Sequence, residues 1–485
     1  MITPCRAVSL GPQESTSPSL AWLSQSLLQL IMVFDLGPVP RCLTAMQSHL
    51  RLKLVIFVAF VLVMYLLWST PLAPKELFTE AQFNETSFGQ RGVLAQKLYD
   101  QMLEPENFWS VFPGTPKKQI QAEKLATRLF PFIRHPNHPQ DPMPLHSLRS
   151  TFTPQSQGIV IPAGKKNVIF ARHAILTLRD VLNVTLPIAI AFAGDEDLPS
   201  DEQQSLLDLR PAVEMLDVIA TLSDEFMNLR DGAWAVKPFA ALASRFEEVI
   251  LIDADVVFVQ PPETLLDHPG YRETGTLFFH ERQLEKVPGN KRQEFLKAQT
   301  KDVELLDTCC EKILRGDYRD EQDSGVVVID KRKLHVLIGL LHTCWQNSSP
   351  IRNDITYKVF YGDKESYWIG MALTKVPYVF EKNWAGIAGE LRERDGKKQV
   401  CGNTISHSSD RDKGLIWYNG SLLRDKSGNR KTYMVPQYQI IGGQCGWIRD
   451  PDLHFCCYDA DILELTSFER DILERSVEVA KTLDS

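Results

Sequence analysis

The segment Val249-Ile250-Leu251-Ile252-Asp253-Ala254-Asp255-Val256-Val257-Phe258-Val259 constrains this chain more than any other. An apolar run stops at two carboxylates one residue apart, and a second apolar run follows. A run of four bulky aliphatic residues is the pattern of a strand covered on both faces. Carboxylates at the tip of such a strand are costly unless a cation neutralises them. A divalent metal is one such partner, because hard cations take oxygen ligands. A metal at that position can in turn hold a diphosphate, so the pattern points to a nucleotide or nucleotide-sugar site.

The surrounding chain supports an α/β reading. Gly158–Pro162, Leu186–Ala193 and Val213–Ile219 have strand character. Asn167–Leu182, Ser200–Leu209 and Ala235–Ser244 have helical periodicity between them. Alternation of this kind predicts a mostly parallel sheet with helices on both faces. Ligands bind such sheets beyond the carboxyl ends of the strands, where Asp253 and Asp255 fall. Pro131, Pro136, Pro139, Pro142, Pro144 and Pro154 crowd the segment before Gly158, which predicts an extended stem over residues 75–155. A catalytic domain is expected over 156–458, and a charged amphipathic helix over 459–485.

Residues 54–74 form a charge-free stretch with an apolar core, LVIFVAFVLVMYLLW. Its length suits a membrane span. Arg41, Arg51 and Lys53 precede it and Glu76, Glu80 and Glu85 follow, so the N-terminal side is expected to stay cytoplasmic. The alternative is a cleaved signal peptide. The anchor reading makes residues 1–53 a cytoplasmic tail, of which 1–45 look out of place before Met46, and puts the body in a lumen. Four Asn-x-Ser/Thr tripeptides (Asn84, Asn183, Asn347, Asn419) agree with a lumenal body, although such tripeptides are common by chance. Seven of the nine cysteines lie in the second half, where an oxidising compartment would pair some of them in a connectivity the sequence leaves open. The net charge of −8 argues against nucleic acid as the main partner.

Several further blocks occur in a fixed order: Trp234–Ala240, Gly275–Arg282, Gln322–Lys331, Tyr361–Trp368, Cys401–His407 and Ile416–Gly420. With Val249–Asp255 they resemble the fungal Golgi alpha-mannosyltransferases, on the alpha-1,3 branch (glycosyltransferase family 71), over roughly residues 157–425. The resemblance implies a GT-A fold, a GDP-mannose donor, a Mn2+ ion and transfer to a mannose hydroxyl of a protein-linked glycan with retention. It implies that Asp253 and Asp255 hold the metal, with His407 as a third ligand. Lys237, at a helix start, and Lys413 become candidate phosphate or donor contacts. Asp363 and Asp323 become the candidate catalytic carboxylates, with an N-cap role as the alternative for Asp363.

The chain departs from the family pattern in three places. Asp323 stands where the family usually has Glu, Glu281 where it usually has Asp, and Ser408-Ser409 replaces an acidic residue. The implied partners are GDP-mannose, a mannosylated acceptor, the Golgi membrane and other mannosyltransferases in a complex. Two rival readings stay open: a non-catalytic lumenal subunit of such a complex, and the same fold using another sugar or linkage.

Overall fold

The structure, a computed structural model, describes residues 87–103, 116–231, 233–284, 291–301, 313, 315–426, 432–448 and 453–485. The expected anchor at 54–74, the tail before it, Asn84, Cys309 and Cys310 lie outside the described residues. Among the described residues, no helix is long and apolar enough to cross a membrane.

Among the described residues, sixteen strands follow in chain order. β1 (Thr153–Pro162), β2 (Ile188–Phe192), β3 (Val213–Asp217) and β4 (Phe246–Ile252) come first. β5 (Val256–Phe258), β6 (Thr276–Leu284), β7 (Gln322–Asp330) and β8 (Phe380–Ala385) follow. β9 (Ile387–Arg394), β10 (Lys397–Gly402), β11 (Ile405–Ser408) and β12 (Leu415–Asn419) come next. β13 (Tyr438–Ile441), β14 (Gln444–Trp447), β15 (Phe455–Tyr458) and β16 (Asp461–Glu464) complete the set.

The main sheet runs β16-β13-β9-β10-β15-β14-β6-β7-β4-β1-β2-β3, with β8 beside β6. The β4-β1-β2-β3 portion is parallel, as the alternation predicts. β7 lies antiparallel between β4 and β6. Beyond β6 the sheet continues as an antiparallel extension from β14 to β16. That extension is made of short strands without a clear apolar alternation, which is why periodicity does not reveal it.

Burial explains the parallel part. Ile159, Ile161, Ile188, Ile190, Ile250 and Ile252 share one core with Phe170, Ala174, Ile175 and the C-terminal helix residues Ile472, Leu473 and Val477. The alternate residues Val160, Ala189, Val249 and Leu251 are equally buried. On their side the helix Val236–Ala243 packs against β1, β2 and β4. A strand enclosed on both faces cannot hold a polar side chain in mid-run, so the first carboxylates fall at its end. The C-terminal helix spans Ser467–Asp484 and starts from a capping box between Thr466 and Glu469.

The segment expected to be an extended stem is instead folded where it is described. It forms helices at Phe88–Leu103, Pro116–Leu129 and Pro144–Ser150. Phe88 packs edge-on against Trp345, and Phe132 against Phe239. Pro131 and Pro144 occupy first helical turns, where a missing N–H costs nothing. The prolines therefore punctuate short helices rather than keep the chain open.

Candidate active site

β4 ends at Ile252 and hands the chain to a tight turn in which Val256 N–H donates to the Asp253 carbonyl (3.1 Å). β5 then leaves the main sheet and pairs with β12 in a three-stranded sheet, β11-β12-β5. The turn is pinned from both sides. Asp253 N–H donates to the Gly325 carbonyl on β7 (2.8 Å), and the Asp255 carbonyl accepts from Gly420 N–H (3.2 Å) and Ser421 N–H (2.8 Å). The two carboxylates thus sit on a fixed platform at the edge of a cleft of about 600 Å³.

Asp253, Asp255, Lys237, Asp323 and Asp363 all line that cleft, so the structure brings five of the seven candidate residues together. Lys237 comes from the first turn of helix Val236–Ala243 and is buried. Its ammonium lies 2.8 Å from Asp253 Oδ1 and 3.3 Å from Asp363 Oδ2, and donates to the Ser324 carbonyl and hydroxyl (2.9 Å each). Burial opposes the charge on Lys237, but Asp253 and Asp363 outweigh it and hold its pKa above the usual value. Burial likewise raises Asp253, to about 7, with Asp255 and Asp363 adding to the rise and Lys237 opposing it. Asp255 pairs with Lys426, and Asn419 Nδ2 lies 3.4 Å from Asp253 Oδ2.

Asp363 does not cap a helix with its side chain. Its carbonyl accepts from Ser366 N–H (2.9 Å), which frees the carboxylate for Lys237. Asp323, at the start of β7, accepts from Gly325 N–H (3.0 Å) and from His407 Nε2 (2.9 Å).

Two expected site residues lie elsewhere. His407 on β11 is buried flat against the Trp417 ring, with centroids 4.0 Å apart, and reaches the cleft only through Asp323. Among the described residues, no group of three or more His, Cys, Asp or Glu is arranged to hold a metal ion. Asp253, Asp255 and His407 therefore do not form the expected triad, because β11 turns the imidazole inward under an indole. Lys413 sits in the turn between β11 and β12 and pairs with Asp461 at the surface (2.8 Å), so it does not line the cleft. The donor set that remains, two carboxylates facing the cleft, suits a hard divalent cation completed by water and substrate phosphates.

A second charged group, not marked by periodicity, gathers around Glu281, one of the positions where the chain departs from the family pattern. Glu281 bonds Arg282 Nε (3.1 Å) and Lys364 Nζ (2.9 Å), and Lys364 also lies 3.3 Å from Asp320. Burial alone would raise the Glu281 pKa, but Lys364 and Arg282 overturn it and hold the carboxyl down at about 2. Glu365, within the same block, accepts from the N–H groups of Glu321 (3.0 Å) and Gln322 (3.1 Å) and so fixes the start of β7. Aromatic rings rim the cleft at Trp234 and Tyr361 and at Trp447 and Phe455.

Two of the four glycosylation tripeptides fail on geometry. Asn347 is fully buried and accepts from the Tyr357 hydroxyl (3.0 Å), and Asn419 lines the cleft. Asn183 is exposed.

The fold and the site together define an α/β protein whose acidic, cation-balanced cleft lies beyond the carboxyl end of a parallel strand. The family described as "Mannosyltransferase putative" matches residues 156–409, and the chain belongs to it. The chain is 27% identical over 375 residues to "Putative alpha-1,3-mannosyltransferase MNN1" of Candida albicans, covering 66% of this chain and 44% of that one. It is 26% identical over 313 residues to "Alpha-1,3-mannosyltransferase MNT3" of Saccharomyces cerevisiae, covering 57% and 48%. The chain spans about half the length of these curated relatives. Among solved structures, it is similar to core-mannan synthase A from Aspergillus fumigatus in its Mn/GDP form, with TM-score 0.30, 11% identity, and 47% of this chain and 72% of that one covered.

Proposed function

We propose that this chain is a GT-A glycosyltransferase that moves mannose from GDP-mannose to a mannose hydroxyl of a protein-linked glycan. We further propose an alpha-1,3 linkage, retention of configuration, Mn2+ dependence, and a type II anchorage that places the body in the Golgi lumen. The observation that carries the reading is the convergence of Asp253 and Asp255 with Lys237, Asp323 and Asp363 on one cleft, in a member of this family. The alpha-1,3-mannosyltransferase names of the relatives support the sugar and the linkage.

Asp253 and Asp255 would hold the metal, which when bound supplies Lewis-acid help to a departing diphosphate. Lys237 pairs with both Asp253 and Asp363, so it offsets part of the repulsion within the buried acidic cluster. Asp323 is held by two hydrogen bonds, one from His407 and one from a backbone N–H. A carboxylate fixed in that way can stabilise positive charge that develops on a sugar ring in the transition state. His407 is then a positioning residue for Asp323, not a ligand.

The test is transfer by the full chain in detergent, with GDP-mannose, Mn2+ and a mannobiose acceptor, followed by linkage analysis. An alpha-1,3-linked mannotriose is the expected product. No transfer, and no uptake of GDP in the presence of Mn2+, would overturn the reading.

A further inference from the structure

We infer that Trp447, backed by Phe455, forms a stacking platform for the acceptor glycan where β14 and β15 line the cleft. This rests on the proposed transferase function and deepens it. The two rings sit directly across from each other on β14 and β15, with centroids 3.9 Å apart. Both line the same cleft as Asp253. Trp447 is 71% exposed, the largest exposure among the large apolar side chains described. An indole held open to water at the mouth of a cleft is not there for core packing.

The strands that carry the rings are locked in place. Cys456 and Cys457, adjacent on β15, pair with Cys401 on β10 and Cys445 on β14. One disulfide lies on each face of the ribbon, so the platform is fixed from above and below. Rigidity of this kind lowers the ordering cost of binding.

The chemistry around the rings selects a neutral, hydroxyl-rich ligand. The Arg282 guanidinium lies 4.1 Å over the Phe455 ring and is bonded to Glu281, which offsets part of its charge. Asn403 and His454 line the same part of the cleft, joined by a hydrogen bond from His454 N–H to Asn403 Oδ1 (2.8 Å). A pyranose offers an apolar C–H face to an aromatic ring and a rim of hydroxyls to such groups. The subsite lies at a distance from the carboxylate turn. β14 lies three strands from β4, about 14 Å at the usual spacing. That spacing is within reach of an oligosaccharide extending from the transfer point, and donor and acceptor KM values separate the two ligands. The hairpin also lies outside residues 156–409, so acceptor choice would be set by a part of the chain that the family match does not include.

The experiment titrates linear alpha-linked mannotriose against the full chain in detergent, without donor, by calorimetry and indole fluorescence. The expected result is binding by the unaltered protein, about tenfold weakening in Trp447→Ala, and recovery of most affinity in Trp447→Phe. In transfer assays Trp447→Ala should raise the acceptor KM about tenfold, with the GDP-mannose KM moving less than about twofold. Equal mannotriose affinity in Trp447→Ala, or no binding by the unaltered protein at millimolar sugar, would overturn the platform. If mannotriose binds through Trp447 but no GDP-mannose is consumed, the platform stands and the transferase reading falls. If transfer proceeds with an unmoved acceptor KM in Trp447→Ala, the reverse holds.

Discussion

The two walls of the cleft are held together by different physics. The wall that carries Asp253 and Asp323 grows from strands enclosed on both faces, Asp363 joins it from the turn after Tyr361, and Lys237 offsets Asp253 and Asp363 inside the protein. The wall that carries Trp447 and Phe455 grows from the antiparallel extension, whose own core is little more than Ile387, Val400, Ile440 and two disulfides. A small core needs covalent staples where a large one does not. The charged wall is therefore vulnerable to any change in charge, and the aromatic wall to reduction.

The largest expected effect separates chemistry from folding on the charged wall. Asp255→Ala should cut transfer by about a thousandfold, the scale of several kcal/mol of lost charge stabilisation. The protein should stay folded, because the Lys426 side chain left behind is 40% exposed and can hydrate. Unchanged circular dichroism together with lost turnover is the expected pair of readings. Lys237→Met should behave in the opposite way. It leaves Asp253 and Asp363 facing each other without their cation, at a cost of about 3–5 kcal/mol in folding stability. Adding Asp253→Asn should recover part of that loss, a coupling that a double-mutant cycle in urea would measure. Additive losses would show that Lys237 is not the balancing charge.

Much of the charged wall is legible in the sequence. The run from Val249 to Ile252 has to be an enclosed strand, and a polar pair after it has to sit at the strand end. What the pattern does not show is the identity of the neutralising cation. The partners of Lys237 come from the end of β4 and from a turn after Tyr361, and only the fold brings them together. His407 misleads because a histidine near the end of a conspicuous block can serve either a metal or a carboxylate, and the choice depends on which face of β11 meets Trp417. The aromatic wall is not legible at all. Gly442-Gly443-Gln444-Cys445-Gly446 looks like a turn, with no alternation to mark β14, and cysteine pairing depends on strand register rather than spacing.

The aromatic wall gives the next prediction. Replacing Cys401 and Cys456 by serine opens a bridge between residues 55 apart and should lower stability by about 2–4 kcal/mol. Replacing Cys445 and Cys457, which are 12 apart, should cost less. Either pair should weaken mannotriose binding more than GDP binding. Equal loss of both ligands would mean that the two walls are not independent.

The two walls meet at Glu281. Its folded pKa of about 2 is below the ordinary 4.5, so the folded state binds fewer protons than the unfolded chain between those values. The stabilisation from Glu281 is fully present above pH 4.5 and is lost as pH falls through about 2. Glu281→Gln removes the anion but keeps the shape, and leaves Lys364 with Asp320 as its remaining counter-charge. The variant should be less stable than the unaltered protein at pH 7, and the gap should narrow steadily below pH 4.5. Urea midpoints at pH 7, 4 and 3 would show it. A gap that stays constant over that range would mean that Glu281 is held by shape and hydrogen bonding alone, and that the joint between the walls carries no electrostatic strength.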